Sequence, residues 1–369
     1  MALSKTVAEV NLNAISHNLE VVRKKTGNKS ILAVVKADAY GHGLVKVSKH
    51  LLKNGASMLG VAFANEAIML REAGIKAPIL VFFEYNNAEV YLKHSLRPVV
   101  FDFKSAAAIS AKAYKYNRKI PIHIKVDTGM GRVGMRIENA LPEILKIADL
   151  KNLQPEGLMS HFPYADMTNK DSASAQLKSF VNLAKSLKDK NIHFKFLHIA
   201  NSAAILQFPE AHLSMVRPGI MLYGYGPGKR NNLKPVLSLK SKIIFLKNVP
   251  GGTPISYERT FITKRKSAIA TIPIGYADGY SRKLSNSGEV IISGKRAPVL
   301  GRVCMDTIMV DVTGIPYVKE GADVILIGSQ GKEKITAQDI ADKVGSIPYE
   351  VLTNIGKRVK RIYRYVIPK

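Results

Sequence analysis

Ile31-Leu32-Ala33-Val34-Val35-Lys36-Ala37-Asp38-Ala39-Tyr40-Gly41-His42-Gly43 is an apolar run that ends on a lysine and passes at once into a glycine-containing loop. A short aliphatic run without alternation reads as a strand buried on both faces, and such strands belong to parallel sheets covered by helices. Seven further runs share this texture: Met58–Phe63, Pro78–Phe83, Arg97–Phe101, Ile120–Asp127, Glu156–His161, Phe194–Asn201 and Leu213–Arg217. Helical patterns separate them. One starts after Asn65, read as an N-cap, and runs to Gly74, read as a C-cap. Another, Ser172 to Lys190, repeats apolar residues at Leu177, Phe180, Val181, Ala184 and Leu187, which is helical spacing. Eight strand–helix units with right-handed crossovers close into a (β/α)8 barrel. The rival, an open doubly wound sheet, lacks its GxGxxG turn after the first strand.

The texture changes in the polar stretch Gly226-Pro227-Gly228-Lys229-Arg230-Asn231-Asn232. Beyond it strand-like runs follow closely: Leu237–Lys247, Ser267–Ile274, Glu289–Ile292, Val299–Val312 and Asp323–Ile327. Ser293-Gly294-Lys295 is a hairpin signal, and one short helix is expected over Thr336 to Val344. The expected fold is therefore α/β. A barrel domain (residues 1–230) precedes a mostly β domain (residues 231–369), and the first residues could pack on the second domain.

The chain has 369 residues, of which 46% are hydrophobic and 22% charged, as in soluble globular proteins. No stretch reaches the roughly 18 apolar residues of a membrane helix, and the N-terminus lacks a signal-peptide pattern. The single cysteine, Cys304, excludes an internal disulfide. These features place the protein in the cytoplasm, away from membranes. The net charge of +27 is unusual. Its lysines (Lys24, Lys49, Lys93, Lys115, Lys188, Lys264 and Lys360 among them) are spread over separate segments, with no basic run interleaved with aromatics. The reading is a solvated basic surface rather than a nucleic-acid footprint, and such a field attracts small anions. No metal-ligand spacing is present.

Barrel enzymes place their chemistry where the strands end. The first run ends in Lys36. A lysine there is expensive unless paired or covalently used. Desolvation lowers its ordinary pKa of about 10.4 and yields a nucleophilic amine suited to a Schiff base. The fifth run ends in Lys125 and Asp127, on one face with His123 by alternation. The sixth ends in His161, the seventh in Asn201-Ser202 and the eighth in Arg217-Pro218-Gly219-Ile220. Loops after the seventh and eighth strands often cradle phosphate on backbone N–H groups. Ser202 could add a hydroxyl there. Arg132, in Lys125-Val126-Asp127-Thr128-Gly129-Met130-Gly131-Arg132, could hold a substrate carboxylate through two parallel hydrogen bonds.

Taken together, VVKADAYGHG (34–43), KVDTGMGR (125–132), HIANSAA (198–204), MVRPGI (215–220), ISYERTF (255–261), IPIGYADGY (272–280), GRVCMD (301–306) and Tyr349-Glu350-Val351 resemble the alanine racemase family. The likeness covers nearly the whole chain. It implies a pyridoxal 5'-phosphate enzyme that interconverts L-alanine and D-alanine by two-base proton transfer and supplies D-alanine for peptidoglycan. It also implies a homodimer with shared active sites. Lys36 would carry the cofactor through a Schiff base and act as base toward the D-enantiomer. Tyr257, contributed by the second domain of a partner subunit, would act toward the L-enantiomer. Tyr40, Ser202, Gly219, Ile220 and Tyr349 match the phosphate-binding set, and Asn201 closes the same end. Arg217 matches the residue facing the pyridine nitrogen, and His161 a hydrogen-bonding partner near Arg217 and Tyr257. Arg132 and Met305 match substrate-binding positions. Lys125 matches a lysine carbamylated in some members, and Tyr276, Cys304 and Asp306 are supporting positions in the second-domain motifs. Pro163 and Lys360 depart from the family pattern. A decarboxylase of basic amino acids on the same barrel would use Lys36 but not Tyr257. A broader-specificity racemase is the nearer alternative.

Overall fold

The computed structural model describes residues 5–84, 87–163, 171–228 and 231–365. The chain divides into two compact units. One comprises Ile15–Ala39 and Leu44–Lys234, the other Met1–Ala14, Tyr40–Gly43 and Pro235–Lys369.

In the first unit eight parallel strands follow one another around a sheet: Ser30–Val34, Met58–Val61, Ile79–Val81, Arg97–Val100, Ile120–Asp127, Leu153–Met159, Phe196–His198 and Met215–Val216. The last pairs back to the first, Met215 opposite Ser30. Backbone bonds from Ser214 N to Leu197 O (3.2 Å) and from Arg217 N to Ala200 O (3.0 Å) join the seventh strand to the eighth and complete the ring. The strands are short and almost wholly buried because helices cover their outer faces, which is why the runs read as aliphatic rather than alternating. The fold class expected from the sequence is the one observed.

Several local expectations are corrected. Asn65 is not the N-cap: the helix is Ala64–Glu72, Phe63 precedes it, and the Glu84 carboxylate accepts the Ala64 N–H at 2.7 Å. Gly74 does lie just past that helix, at φ +82°. In the helix Asp171–Asp189 the buried stripe is Phe180, Leu183 and Leu187, while Val181 faces solvent. The first strand stops at Val34, and Lys36 opens a short helix, Lys36–Gly41. Ala37, Asp38, Ala39 and Tyr40 have φ of 53°, 54°, 53° and 54°, so this turn is left-handed. Such a turn costs roughly 1–2 kcal/mol per residue. Side chains hold it: Glu66 Oε1 accepts the Ala37 N–H at 2.6 Å, and Asp38 Oδ1 accepts the Leu44 N–H at 2.7 Å.

The second unit is built on a ten-stranded sheet. Val7–Asn11 lies within it, antiparallel to Leu237–Lys242 and parallel to Lys360–Arg364. The hairpin forms as expected: Glu289–Ile292 pairs with Lys295–Leu300 across Ser293-Gly294, both at positive φ. Two runs read as single strands are broken. Leu237–Lys242 and Phe245–Val249 are separate, as are Lys295–Leu300 and Ile308–Asp311, with a loop carrying Cys304, Met305 and Asp306 between the latter two. Thr336 caps the helix Ala337–Val344, and a further helix, Pro348–Thr353, carries Tyr349. At Gly41 a Cβ would lie 2.2 Å from Leu352 O, so only glycine fits. Among the described residues no helix is long and apolar enough to cross a membrane.

Candidate active site

The carboxyl ends of the barrel strands gather cations. Lys36 Nζ lies 5.5 Å from the centroid of the Phe83 ring, and the Arg132 guanidinium carbon lies 5.1 Å from the same centroid. Phe83, at the mouth end of the third strand, thus serves as a shared aromatic floor for both. Burial lowers the Lys36 pKa, the Arg132 charge lowers it further, and Glu66 opposes both. Lys125 is 3% exposed and donates from Nζ to Val126 O at 3.0 Å. Burial, then the charges of Arg217 and Arg132, push its pKa down to about 7 against the pull of Asp127. The adjoining carboxylates are engaged by backbone: Asp127 Oδ1 accepts the N–H groups of Gly129 and Met130, and Glu66 those of Ala37 and Ala62.

Arg217 is the deepest cation, 4% exposed. Its guanidinium donates to Ser160 O (2.7 Å), Ile199 O (3.2 Å), His161 Nδ1 (3.2 Å) and His198 Nδ1 (2.9 Å). Burial and Arg132 lower its pKa to about 9, so it stays charged at neutral pH. Because arginine only donates, its two histidine partners must accept through Nδ1 and carry their proton on Nε2. His198 Nε2 then donates to His123 Nδ1 at 2.8 Å, leaving the His123 proton on Nε2. That atom faces Glu156 Oε2 at 3.8 Å, and Glu156 is held by Arg97 Nε at 2.6 Å. A hydrogen-bonded row therefore runs from Arg217 through His198 to His123, whose Nε2 has no hydrogen-bond partner among the described residues and stops 3.8 Å short of the Glu156–Arg97 ion pair. Burial and Arg217 keep His161 and His198 well below the ordinary histidine pKa, hence neutral.

The ends of the seventh and eighth strands meet at Ser202. Its Oγ accepts the N–H groups of Gly219 (2.9 Å) and Met221 (3.3 Å), while the Ile220 N–H between them has no protein acceptor among the described residues. Asn201 is an N-cap, accepting the Ala204 N–H at 3.1 Å, and its amide donates to Phe162 O at 3.3 Å. Of the loop after His161, Tyr164–Lys170 lies outside the described residues, as do Lys229 and Arg230 of the expected boundary.

The remaining predicted residues belong to the second unit. Tyr257 is 68% exposed and opens the turn Tyr257–Arg259. Ser256, Glu258 and Arg259 there have φ of 67°, 59° and 50°, left-handed at three non-glycine positions. Glu258 ties the turn down through Arg302 (2.6 Å) and Arg282 (3.2 Å), and Ser256 Oγ donates to Arg302 O at 2.7 Å. Cys304 Sγ lies 3.5 Å from Ser256 Oγ. Cys304 O and Met305 O accept the N–H groups of Tyr276 and Ala277, an approach that requires Gly275, where a Cβ would lie 2.2 Å from Met305 O. Asp306 pairs with Arg358 at 2.8 Å. Tyr40 is buried against Tyr349, ring centroids 6.0 Å apart. Tyr257, Tyr276, Met305 and Tyr349 are all exposed in the single chain. Sequence reading assigned no role to Phe83, Glu66, His198, Glu156 or Glu258. His198 and Glu258 stand inside quoted motifs, but nothing local marks the others.

Two family models match: "Alanine racemase, N-terminal domain" over residues 10–227 and "Alanine racemase, C-terminal domain" over residues 236–363. The chain is 47% identical over 366 residues to the alanine racemase of Halothermothrix orenii, covering 97% of each chain. It is similar to the solved alanine racemase of Clostridium difficile 630, with a TM-score of 0.94, 37% identity, and 99% and 97% of the two chains covered. It is also similar to a Bartonella henselae alanine racemase with covalently bound pyridoxal phosphate, with a TM-score of 0.88, 29% identity, and 98% and 100% covered. A cation-lined barrel mouth and matches spanning both units agree, and the chain belongs to the alanine racemase family.

Proposed function

We propose that the protein is a cytoplasmic, homodimeric, pyridoxal-phosphate-dependent racemase that interconverts L-alanine and D-alanine, with Lys36 and Tyr257 handling the Cα proton on opposite faces. The observation that carries this reading is the barrel mouth itself. Lys36, Lys125, Arg132 and Arg217 are brought together there, and the Ile220 N–H at the Ser202 hydroxyl has no protein acceptor among the described residues. That donor set fits a phosphorylated aldehyde: an amine of lowered pKa for the aldehyde, and cations with a backbone N–H for the phosphate. Lys36 would hold the aldehyde carbon, Ser202, Gly219, Ile220, Tyr40 and Tyr349 the phosphate, and Arg217 the ring nitrogen. When bound, the cofactor withdraws electrons from the substrate Cα and acidifies its proton.

The chain's own residues then divide the work. The Lys36 amine, lowered in pKa by burial and by Arg132, can take a proton at Nζ and return it. Tyr257 would serve the other face at its phenol oxygen, so neither base has to cross the substrate. Arg132 would hold the substrate carboxylate, and Met305 would bound the small side chain. Arg217 stays a cation because His161 and His198 are neutral acceptors. A fixed positive charge opposes a second proton nearby, which favours returning the substrate proton to Cα over transferring it elsewhere. The exposed Tyr257, Tyr276, Met305 and Tyr349 support a second copy of the chain as their cover. The relatives are named alanine racemase, so a decarboxylase on this barrel is not favoured.

The test is a chiral assay on L-alanine with proton exchange followed in deuterium oxide. Lys36→Ala should lose the cofactor's visible absorbance. Tyr257→Phe should slow exchange from L-alanine far more than from D-alanine. Equal loss on both faces would contradict the two-base scheme.

A further inference from the structure

The net charge of +27 reads along the chain as scattered lysines, yet folding concentrates part of it. At the start of the third and fourth barrel strands, the end opposite Lys36, an open cavity of about 560 Å³ is lined by Arg71, Lys76, Lys93, His94, Ser95 and Arg97 among others. Among the described residues no carboxylate lines it. In sequence, Glu72 and Glu89 are the nearest; Glu72 is not in the lining, and Glu89 is held by Lys112 at 2.6 Å.

Helix capping explains one of these cations. Arg71 donates to the carbonyls of His94 (2.8 Å), Ile75 (2.7 Å), Ala77 (2.8 Å) and Ser95 (3.1 Å), clasping the loops that end two helices. It does not explain the others. Arg97 uses Nε on Glu156, and its Nη1 and Nη2 have no protein acceptor among the described residues. That free edge is the fork that matches two oxygens of a phosphate. Lys76 and Lys93 are exposed, and neither is paired with a carboxylate among the described residues. Burial lowers the Arg71 pKa and the neighbouring Arg97 charge lowers it further, so the two guanidiniums lie close enough to feel each other.

We infer that this cavity is a binding site for a small, multiply charged phosphate compound, held by the outer edge of Arg97 and flanked by Lys76 and Lys93. Its volume is that of a small-molecule site. Being at the opposite ends of the strands from Lys36, it would bind without competing with substrate, and its occupancy would register as stabilisation of the folded barrel.

The experiment is isothermal titration of pyrophosphate, with inorganic phosphate in parallel, into protein saturated with pyridoxal phosphate so that the other phosphate site is filled. Wild type should bind pyrophosphate more tightly than phosphate, less tightly as sodium chloride rises, and with a rise in Tm. Lys76→Gln and Lys93→Gln should each weaken binding roughly fivefold, the effect of one solvated charge at close range. Glu156→Gln, which removes the carboxylate competing for Arg97, should tighten it. Lys185→Gln with Lys188→Gln, on an exposed face of the helix Asp171–Asp189, should change nothing. Absence of binding, or equal weakening by the Lys185/Lys188 pair, would overturn the site. Neither result bears on racemisation.

Discussion

Glu156→Gln isolates one charge in the row behind Arg217. Glu156 is 11% exposed and 2.6 Å from Arg97 Nε. Burial alone would raise its carboxyl, but His123 and then the hydrogen bond and charge of Arg97 overcome this and hold it at about 2. The ordinary glutamate value is about 4.3, so the folded state prefers the charged form by ~3 kcal/mol. The folded value is the lower one. The stabilisation is therefore complete above the unfolded pKa, and it is lost as pH falls from about 4.5 toward 2. Glutamine keeps the size and one acceptor for Arg97, so the substitution removes charge and little packing. Urea unfolding followed by circular dichroism, the chain having no tryptophan, should show Glu156→Gln ~2–3 kcal/mol less stable at pH 7. The gap should narrow steadily below pH 4.5. A gap under ~1 kcal/mol at pH 7, or one as large at pH 3 as at pH 7, would refute the claim that the Glu156–Arg97 ion pair stabilises the fold.

Two further outcomes are expected. Glu258→Ala unties the turn that presents Tyr257, and a misplaced base costs tenfold or more in kcat; steady-state kinetics with retained visible cofactor absorbance would check this, and an unchanged kcat would remove Glu258 from any positioning role. Burial and then Arg217 bring Lys125 to about 7, so half its amine is neutral there and the neutral share grows as pH rises. A neutral amine can add to carbon dioxide, forming an N–C bond and releasing a proton, and the resulting anion would sit among cations. A carbamate signal in ¹³C NMR with labelled bicarbonate should therefore appear, grow as pH rises through 7 and vanish in Lys125→Met; persistence in that variant would assign it elsewhere.

The barrel was legible because burial on both faces writes itself as aliphatic runs; all eight runs hold a strand, with shifted bounds: the sixth begins at Leu153 rather than Glu156, and the seventh shortens to Phe196–His198. The strand ends were legible as a candidate site because lysine, arginine and histidine are expensive in that setting. What stayed hidden depends on partners distant in the chain. Phe83 read as one more apolar strand residue; only the ring of strands brings Lys36 and Arg132 over it. His123 could be set on the face of Lys125, but its bond to His198, 75 residues away, could not. Asn65 reads as a cap in sequence, but Glu84, from elsewhere in the chain, satisfies the first N–H of the helix. Val299–Val312 read as one strand because its apolar pattern continues across Gly301, where the backbone turns at φ +72°.

The backbone gives an argument for the two proposed bases that side-chain chemistry does not. Lys36 opens a run of four left-handed residues, and Tyr257 is flanked by left-handed Ser256, Glu258 and Arg259. None is glycine, so each carries strain of order 1 kcal/mol; single non-glycine residues such as Leu213, Ser293 and Tyr317 show the same backbone elsewhere, but here such residues fall in runs. In each case a glutamate opposes relaxation, Glu66 through the Ala37 N–H and Glu258 through Arg302 and Arg282. The two turns share no sequence pattern, yet they have the same construction: a proposed base beside a backbone run that nearby carboxylates hold in the left-handed region. A backbone held this way beside Lys36 and Tyr257 would limit where the amine and the phenol point before any ligand arrives, as the proposed transfer between two fixed bases requires.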